Sequence, residues 1–183
     1  MIIKGNFVYL KRINHKDAYY IFRLRRNKRV SLYLHEPPKS IADQKKWISR
    51  NMRNVKTLDF VIYRKKNNER IGTIAFDKMN KFCAEWGRWI SQGNILENIE
   101  SVIILLNYGF FHLKLKNIYS LTNKNNAKVV NFHKNTTATF KGTIKSFFKI
   151  KKENIDAVKY NFDKKNFKKF KKKFSSMIES IQL

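Results

Sequence analysis

The chain has 183 residues, 43% hydrophobic and 14% aromatic, enough to bury one core and too apolar for disorder throughout. Forty Lys and Arg against 13 Asp and Glu give a net charge of +27, a field that attracts nucleotides, nucleic acid and acidic membranes. Cys83 is the one cysteine, so no intrachain disulfide forms, a reducing cytoplasm fits, and a structural zinc site is not expected.

The lysines run from end to end instead of forming one arm, so the charge is read first as a compositional bias. No apolar run approaches the ~20 residues of a membrane span. The N-terminal Met-Ile-Ile-Lys-Gly-Asn is too short in apolar residues for a signal peptide. One domain over residues 1–183 is the expectation.

In chain order, residues 2–10 alternate and predict an edge strand. Asn14-His-Lys-Asp17 reads as a capping box ahead of a helical stripe at Ala18, Ile21, Phe22 and Leu24. Glu36-Pro37-Pro38 stops helical structure. Ser40 opens a second helix to about residue 54, with Ile41, Trp47, Ile48 and Met52 on its buried side. Strands follow at Leu58–Ile62, Ile71–Phe76 and Cys83–Ser91, the first two joined by a turn at Asn67-Asn68. Residues 96–113 predict a deeply buried helix, Ile118–Leu121 a short strand, and Ala127–Lys134 a helix capped by Asn125 or Asn126.

Two more strands end the sheet. Ile144, Phe148 and Ile150 share a face of the first, and Val158, Tyr160 and Phe162 a face of the second. Asp163 caps a last helix striped by Phe167, Phe170, Phe174, Met177, Ile178 and Ile181. Its lysines, from Lys164 to Lys173, form the solvated face. This order describes an α+β domain around one mixed, mostly antiparallel sheet.

Four segments carry a family resemblance. They are Ile71-Gly-Thr-Ile-Ala-Phe76, Ala84-Glu-Trp-Gly-Arg-Trp-Ile90, Asn107-Tyr-Gly-Phe110 and Asn126-Ala-Lys-Val-Val-Asn-Phe-His133. Their order and spacing, over about residues 7–163, resemble the GNAT-fold acyl-CoA N-acetyltransferases. The branch is that of ribosomal-protein N-terminal and bacterial nucleotide-amino-sugar acetyltransferases. The resemblance implies helices on both faces of the sheet and a fourth and fifth strand that splay apart to admit acetyl-CoA. No metal is implied.

Backbone groups of Trp89, Ile90 and Ser91 would then pair with the pantetheine arm, and Asn126 would orient its amides. The pyrophosphate would meet the helix start formed by Gly93, Asn94, Leu96, Glu97, Asn98 and Ile99. The chain departs from the family there, because the two expected glycines fall on Leu96 and Asn98. Free amides at a helix N-terminus still suit an anion.

Direct transfer needs a base for the incoming ammonium. Glu85 occupies the family's strand-four carboxylate position, where desolvation beside Trp86 would raise its pKa; a salt bridge to Arg88 or a nearby lysine is its structural alternative. Asp77 is the second carboxylate. His133, seven residues after Asn126, stands where the family often has a tyrosine that protonates the thiolate, with a pKa nearer neutrality. An exposed helix histidine is the alternative. The acceptor region contains Arg25, Arg26, Tyr33, His35, Glu36 and Trp86, guanidinium and aromatic groups that suit a nucleotide diphosphate.

The reading these residues favour is acetyl transfer from acetyl-CoA to the amine of a nucleotide-linked deoxyamino sugar, in a cytoplasmic enzyme for which a homodimer is the prior. A protein N-terminal acetyltransferase of the ribosomal-protein type is one alternative. A non-enzymatic, basic nucleic-acid or ribosome-binding protein is another, with no motif of its own in the sequence. The Trp-Gly-Arg-Trp strand and the Glu-Ser at 100–101 resemble sugar-modifying enzymes, for which no nucleic-acid partner is expected.

Overall fold

Glu100 shows how distant residues shape the start of the chain. Its carboxylate accepts the amides of Asn6, Phe7 and Val8 at 2.7, 2.7 and 2.8 Å. The turn this creates divides the expected single edge strand into a hairpin of Ile2–Lys4 (β1) and Val8–Arg12 (β2). A Cβ at Gly5 would stand 2.7 Å from that carboxyl group, so the turn requires glycine. These positions lie more than 90 residues from Glu100, beyond the reach of any local pattern. A computed structural model describes residues 1–150 and 152–181, except for the side chains of 179–181.

Asn14 and Asp17 form the expected capping box, and a 3-10 turn there leads into Ala18–Arg26 (α1). A short helix, Lys28–Ser31 (α2), precedes the Pro37-Pro38 break. Ser40 caps Ile41–Arg53 (α3) through the Asp43 amide. The buried face of α3 differs from the sequence expectation: Gln44 and Ile48 are buried, Trp47 is half-buried, and Ile41 and Met52 are each 37% exposed. The helix turns its 44–47–48 row to the sheet, which leaves positions at either end outside the contact.

The remaining strands are Leu58–Arg64 (β3), Arg70–Asp77 (β4), Cys83–Ser91 (β5), Asn117–Asn123 (β6), Thr139–Ile150 (β7) and Glu153–Asp163 (β8). The remaining helices are Ile95–Asn107 (α4), Ala127–Asn135 (α5) and Lys164–Ile181 (α6). The eight strands form one sheet in the order β1-β2-β3-β4-β5-β6-β8-β7. Every pair is antiparallel except β5 with β6. Alternation along β3 explains the two layers of helices. Leu58, Phe60 and Ile62 join Val102, Leu106 and Phe167 on one side. Val61 and Tyr63 join Ile21 of α1 and Ile48 of α3 on the other.

α4 ends in a single π turn, Tyr108–His112, around Gly109. A Cβ there would meet Ile118 at 2.6 Å and Phe76 at 2.7 Å, so the glycine lets α4 approach the sheet. On α6, Phe167, Phe170 and Phe174 are buried and Met177 and Ile178 half-buried as expected; the Ile181 side chain lies outside the described residues. Asp163 caps this helix by accepting the Asn166 amide at 2.8 Å.

The last hairpin departs from simple alternation. Ala157 is buried in β8 with Tyr160 and Phe162, whereas Val158 is half-exposed. Ile144 of β7 is 39% exposed, because register slips between β7 and β8 rotate its side chains out of phase. Among the described residues no helix is long and apolar enough to cross a membrane.

Candidate active site

The site begins where β5 loses a neighbour. β5 pairs with β6 at Cys83–Asn117, Ala84–Ile118 and Glu85–Tyr119, and no further, although β5 continues to Ser91. The two strands part there, as the resemblance implied for its fourth and fifth strands. The extra N-terminal strand raises both numbers by one. A register shift between β4 and β5 falls opposite Arg88, which has φ of 49°. A non-glycine residue in this region costs stability and marks a bulge that bends the strand.

The Arg88 side chain secures the bulge. It donates to Asp59 on β3 at 2.8 Å and to Asp77 on β4 at 2.6 Å, and lies 5.4 Å above the Trp47 ring. Burial pushes the Asp59 carboxyl up, with the guanidinium opposing it. Sequence reading missed Asp59, placed Trp47 only on the buried side of a helix, and saw Arg88 only as a partner for Glu85. The two carboxylates come from strands whose patterns show nothing unusual.

A cavity of about 980 Å³ fills the gap between the strands and opens past α1 and α3. It brings together Glu85, Asp77 and His133, the three expected catalytic residues. Asp77 and Glu85 are direct cross-strand neighbours. The partner of Glu85 is the Lys78 ammonium at 2.8 Å, the nearby lysine of the structural alternative and not Arg88. Lys78 is in turn held above its ordinary range by that hydrogen bond.

His133 is neither exposed nor near neutrality. It is 1% exposed, its Nε2 lies 3.0 Å from Ser120 Oγ, and its ring stacks on Tyr160 at 4.6 Å. Burial lowers its pKa to about 4, so the imidazole is neutral at pH 7. This corrects the expectation of a nearly neutral acid, since a group so rarely protonated is a poor proton donor. Ser120, invisible in the sequence reading, lines the cavity beside it.

At the acceptor end, Arg25, Tyr33, His35 and Glu36 line the cavity, and Arg26 does not. Arg26, the next residue of α1, is exposed and lies over the Phe22 ring. Arg25 donates to the His35 carbonyl at 3.0 Å and has no carboxylate partner among the described residues. Burial, then the nearby Arg88, pull its pKa down. A desolvated, unpaired cation costs free energy and suits an anionic ligand.

The cosubstrate slot also matches in part. Trp86, Trp89, Ile90 and Asn126 line the cavity. Trp86 Nε1, Trp89 Nε1, Asn123 Nδ2 and His133 Nδ1 are buried there without hydrogen-bond partners. Such orphans are rare in a folded protein and fit a ligand with amide and carbonyl groups of its own. Asn126 caps α5 through the Val129 amide at 3.3 Å.

The start of α4 is arranged differently from expectation. Asn94 and Glu97 form a capping box, and Glu97 is clasped by Arg64 at 2.6 Å, which holds its carboxyl below the usual range. Asn98 Nδ2 closes the loop onto the Gly93 carbonyl at 3.0 Å, and the Gly93 amide donates to Ser91 Oγ at 3.1 Å. Glu97 and Asn98 are therefore committed within the protein, and neither they nor Leu96 and Ile99 line the cavity. The first-turn amides of Ile95 and Leu96 make no hydrogen bond among the described residues and remain for an anion.

Comparison with known proteins agrees with this geometry. The family model of the acetyltransferase (GNAT) domain matches residues 8–137. No curated protein matches the chain significantly. Among solved structures, one described as apo FdhC, a nucleotide-linked sugar GNAT, is 25% identical. It covers 96% of this chain and 97% of its own, with a TM-score of 0.77. A GCN5-related N-acetyltransferase from Brucella melitensis is 16% identical, covering 96% of this chain and 84% of its own, with a TM-score of 0.83. A spermidine N-acetyltransferase from Vibrio cholerae is 19% identical, covering 89% and 97%, with a TM-score of 0.75. The last two likenesses concern the fold alone. With a splayed strand pair, a polar-lined slot and a family match over most of its length, the chain belongs to the GNAT acetyltransferases, acetyl-CoA-dependent N-acetyltransferases.

Proposed function

We propose that this enzyme acetylates the primary amine of a nucleotide-linked deoxyamino sugar, by direct attack on the thioester in a ternary complex. The observation that carries the reading is Arg25, a half-buried guanidinium with no carboxylate partner among the described residues, in the same cavity as the Asp77–Glu85 pair. A diphosphate would supply the missing negative charge while the sugar amine reaches the carboxylates. Similarity to a nucleotide-linked sugar GNAT supports the same class. The cavity and the lone cysteine suit a small-molecule enzyme of the cytoplasm, with residues 1–183 as one domain.

In this reading Glu85 takes the proton from the ammonium, and Asp77, held by Arg88, shapes the charge around it. The amine then attacks the thioester carbon, the carbonyl oxygen is met by a β5 amide near Trp89, and the carbon–sulfur bond breaks as the second proton of the nitrogen passes to the departing CoA sulfur. His133 stays neutral and contributes a hydrogen-bond partner with Ser120 instead of a full acid.

Calorimetry with acetyl-CoA, followed by CoA release across a panel of nucleotide-linked amino sugars, tests the reading. A one-to-one complex and turnover of at least one nucleotide-linked amine are expected. Rapid acetylation of a ribosomal-protein N-terminal peptide, with no activity across the panel, would replace the sugar with a protein acceptor.

A further inference from the structure

We infer that the bulged segment of β7 is a platform for the base of a nucleoside diphosphate, built by Phe147 and Phe148. The inference rests on the nucleotide-linked reading and assigns the ring of that acceptor to these two side chains. In a regular strand, consecutive side chains point to opposite faces. Here both rings line the active-site cavity. The cause is local: from Ile144 to Phe148, β7 advances four residues while β8 advances two, from Ala157 to Ile155. Ser146 inside this bulge has φ of 50°, a strained value for a non-glycine residue.

The strained segment is braced. The Ser146 amide donates to Asp156 Oδ1 at 3.1 Å, and Asp156 is paired with Lys124 at 3.0 Å and Lys145 at 3.5 Å. These contacts hold the Asp156 carboxyl down at about 2. They fix the bulge and leave the rings free for the cavity. Phe147 remains 40% exposed, and the two rings meet edge to face at 4.9 Å.

The surroundings suit a ring carried by an anion. Lys78 stands 5.6 Å from the Phe147 centroid, and His35 lies edge-on to Phe148 at 6.2 Å. Arg25 reaches the backbone of the same His35. Stacking with cations alongside is the usual way to hold a base without reading its edges.

The cosubstrate's own adenine is a second source of such a ring, and distance argues against it. Lys78 contacts both Phe147 and Glu85, near the start of β5, whereas α4 begins beyond Ser91 at its far end. Six residues of strand separate the two by roughly 20 Å.

The test measures binding of UDP, dTDP, GDP, inorganic pyrophosphate and CoA to the full chain by calorimetry. Wild type is compared with Phe147→Leu, which keeps apolar bulk without the ring, Phe147→Tyr, which restores one, and Phe140→Leu. Phe140 is an exposed aromatic of the same strand outside the cavity. At least one nucleoside diphosphate should bind wild type. Phe147→Leu should weaken it about tenfold, with Phe147→Tyr and Phe140→Leu near wild type. Pyrophosphate and CoA should bind all four proteins alike.

Equal nucleoside diphosphate affinity in Phe147→Leu and Phe140→Leu overturns the platform and leaves the nucleotide reading intact. A selective loss of CoA affinity in Phe147→Leu reassigns the rings to the cosubstrate and also overturns it. If wild type binds CoA and none of the three nucleotides at millimolar concentration, the nucleotide reading itself fails, and the platform with it.

Discussion

Glu85 and His133 show how neighbours set what a titratable side chain can do. Glu85 has a lysine partner and an open cavity, the position of a base that takes a proton and passes it on. Glu85→Gln keeps the shape and should lower turnover about a hundredfold near neutral pH, less at high pH where free amine forms unaided. An unchanged rate would move the role to Asp77. Burial holds the His133 imidazole down at about 4 in the fold, below its ordinary value of 6.5. Above pH 6.5 the ring is neutral in both folded and unfolded chains. As pH falls from 6.5 towards 4, the unfolded chain takes up the proton first, and up to about 3 kcal/mol of stability is lost. Asp59, raised by burial, works in the opposite direction over its own range. In His133→Phe the loss between pH 6.5 and 4 should shrink, and its turnover should fall less than that of Glu85→Gln. Chemical denaturation at a series of pH values, with steady-state rates, checks both.

At the scale of elements, the gap between β5 and β6 depends on how closely other parts pack. Gly109 lets the end of α4 rest on Ile118 of β6 and Phe76 of β4. Gly109→Ala forces a methyl into contacts of 2.6 and 2.7 Å and should cost about 1–3 kcal/mol, read as a lower denaturation midpoint. Because Ile118 pairs with Ala84 one position before the last β5–β6 pair, acetyl-CoA affinity should fall as well. Unchanged stability would mean that α4 can shift freely over the sheet. Most elements were legible beforehand: the Asn14–Asp17 capping box, the β5 limits and the Asn126 cap each follow from a local pattern. The β1–β2 hairpin, the face of α3 and the β7 bulge were not, because each depends on a partner distant in sequence or on the register of a neighbouring strand.

For the whole molecule, a charge of +27 surrounds a cavity in which Asp59, Asp77 and Glu85 are each paired with a cation. An anionic acceptor should be drawn in by the field, so its KM should rise steeply with salt, while kcat, which follows contacts inside the screened cavity, should change little. A salt-independent KM would exclude steering of a charged acceptor. Sequence alone determined the fold class and the reaction type, because strand alternation, caps and four ordered motifs are local signals that survive without knowledge of contacts. Eleven of the residues it singled out line one cavity of the fold: Glu85, Asp77, His133, Trp86, Trp89, Ile90, Asn126, Arg25, Tyr33, His35 and Glu36. Tertiary structure alone decided the electrostatics. It paired Arg88 with Asp59 and Asp77, buried His133 against Ser120 and Tyr160, left Arg26 exposed, and committed Glu97 to Arg64. Pairing and desolvation are properties of neighbours brought together by the sheet, and they set which charges remain free for a substrate.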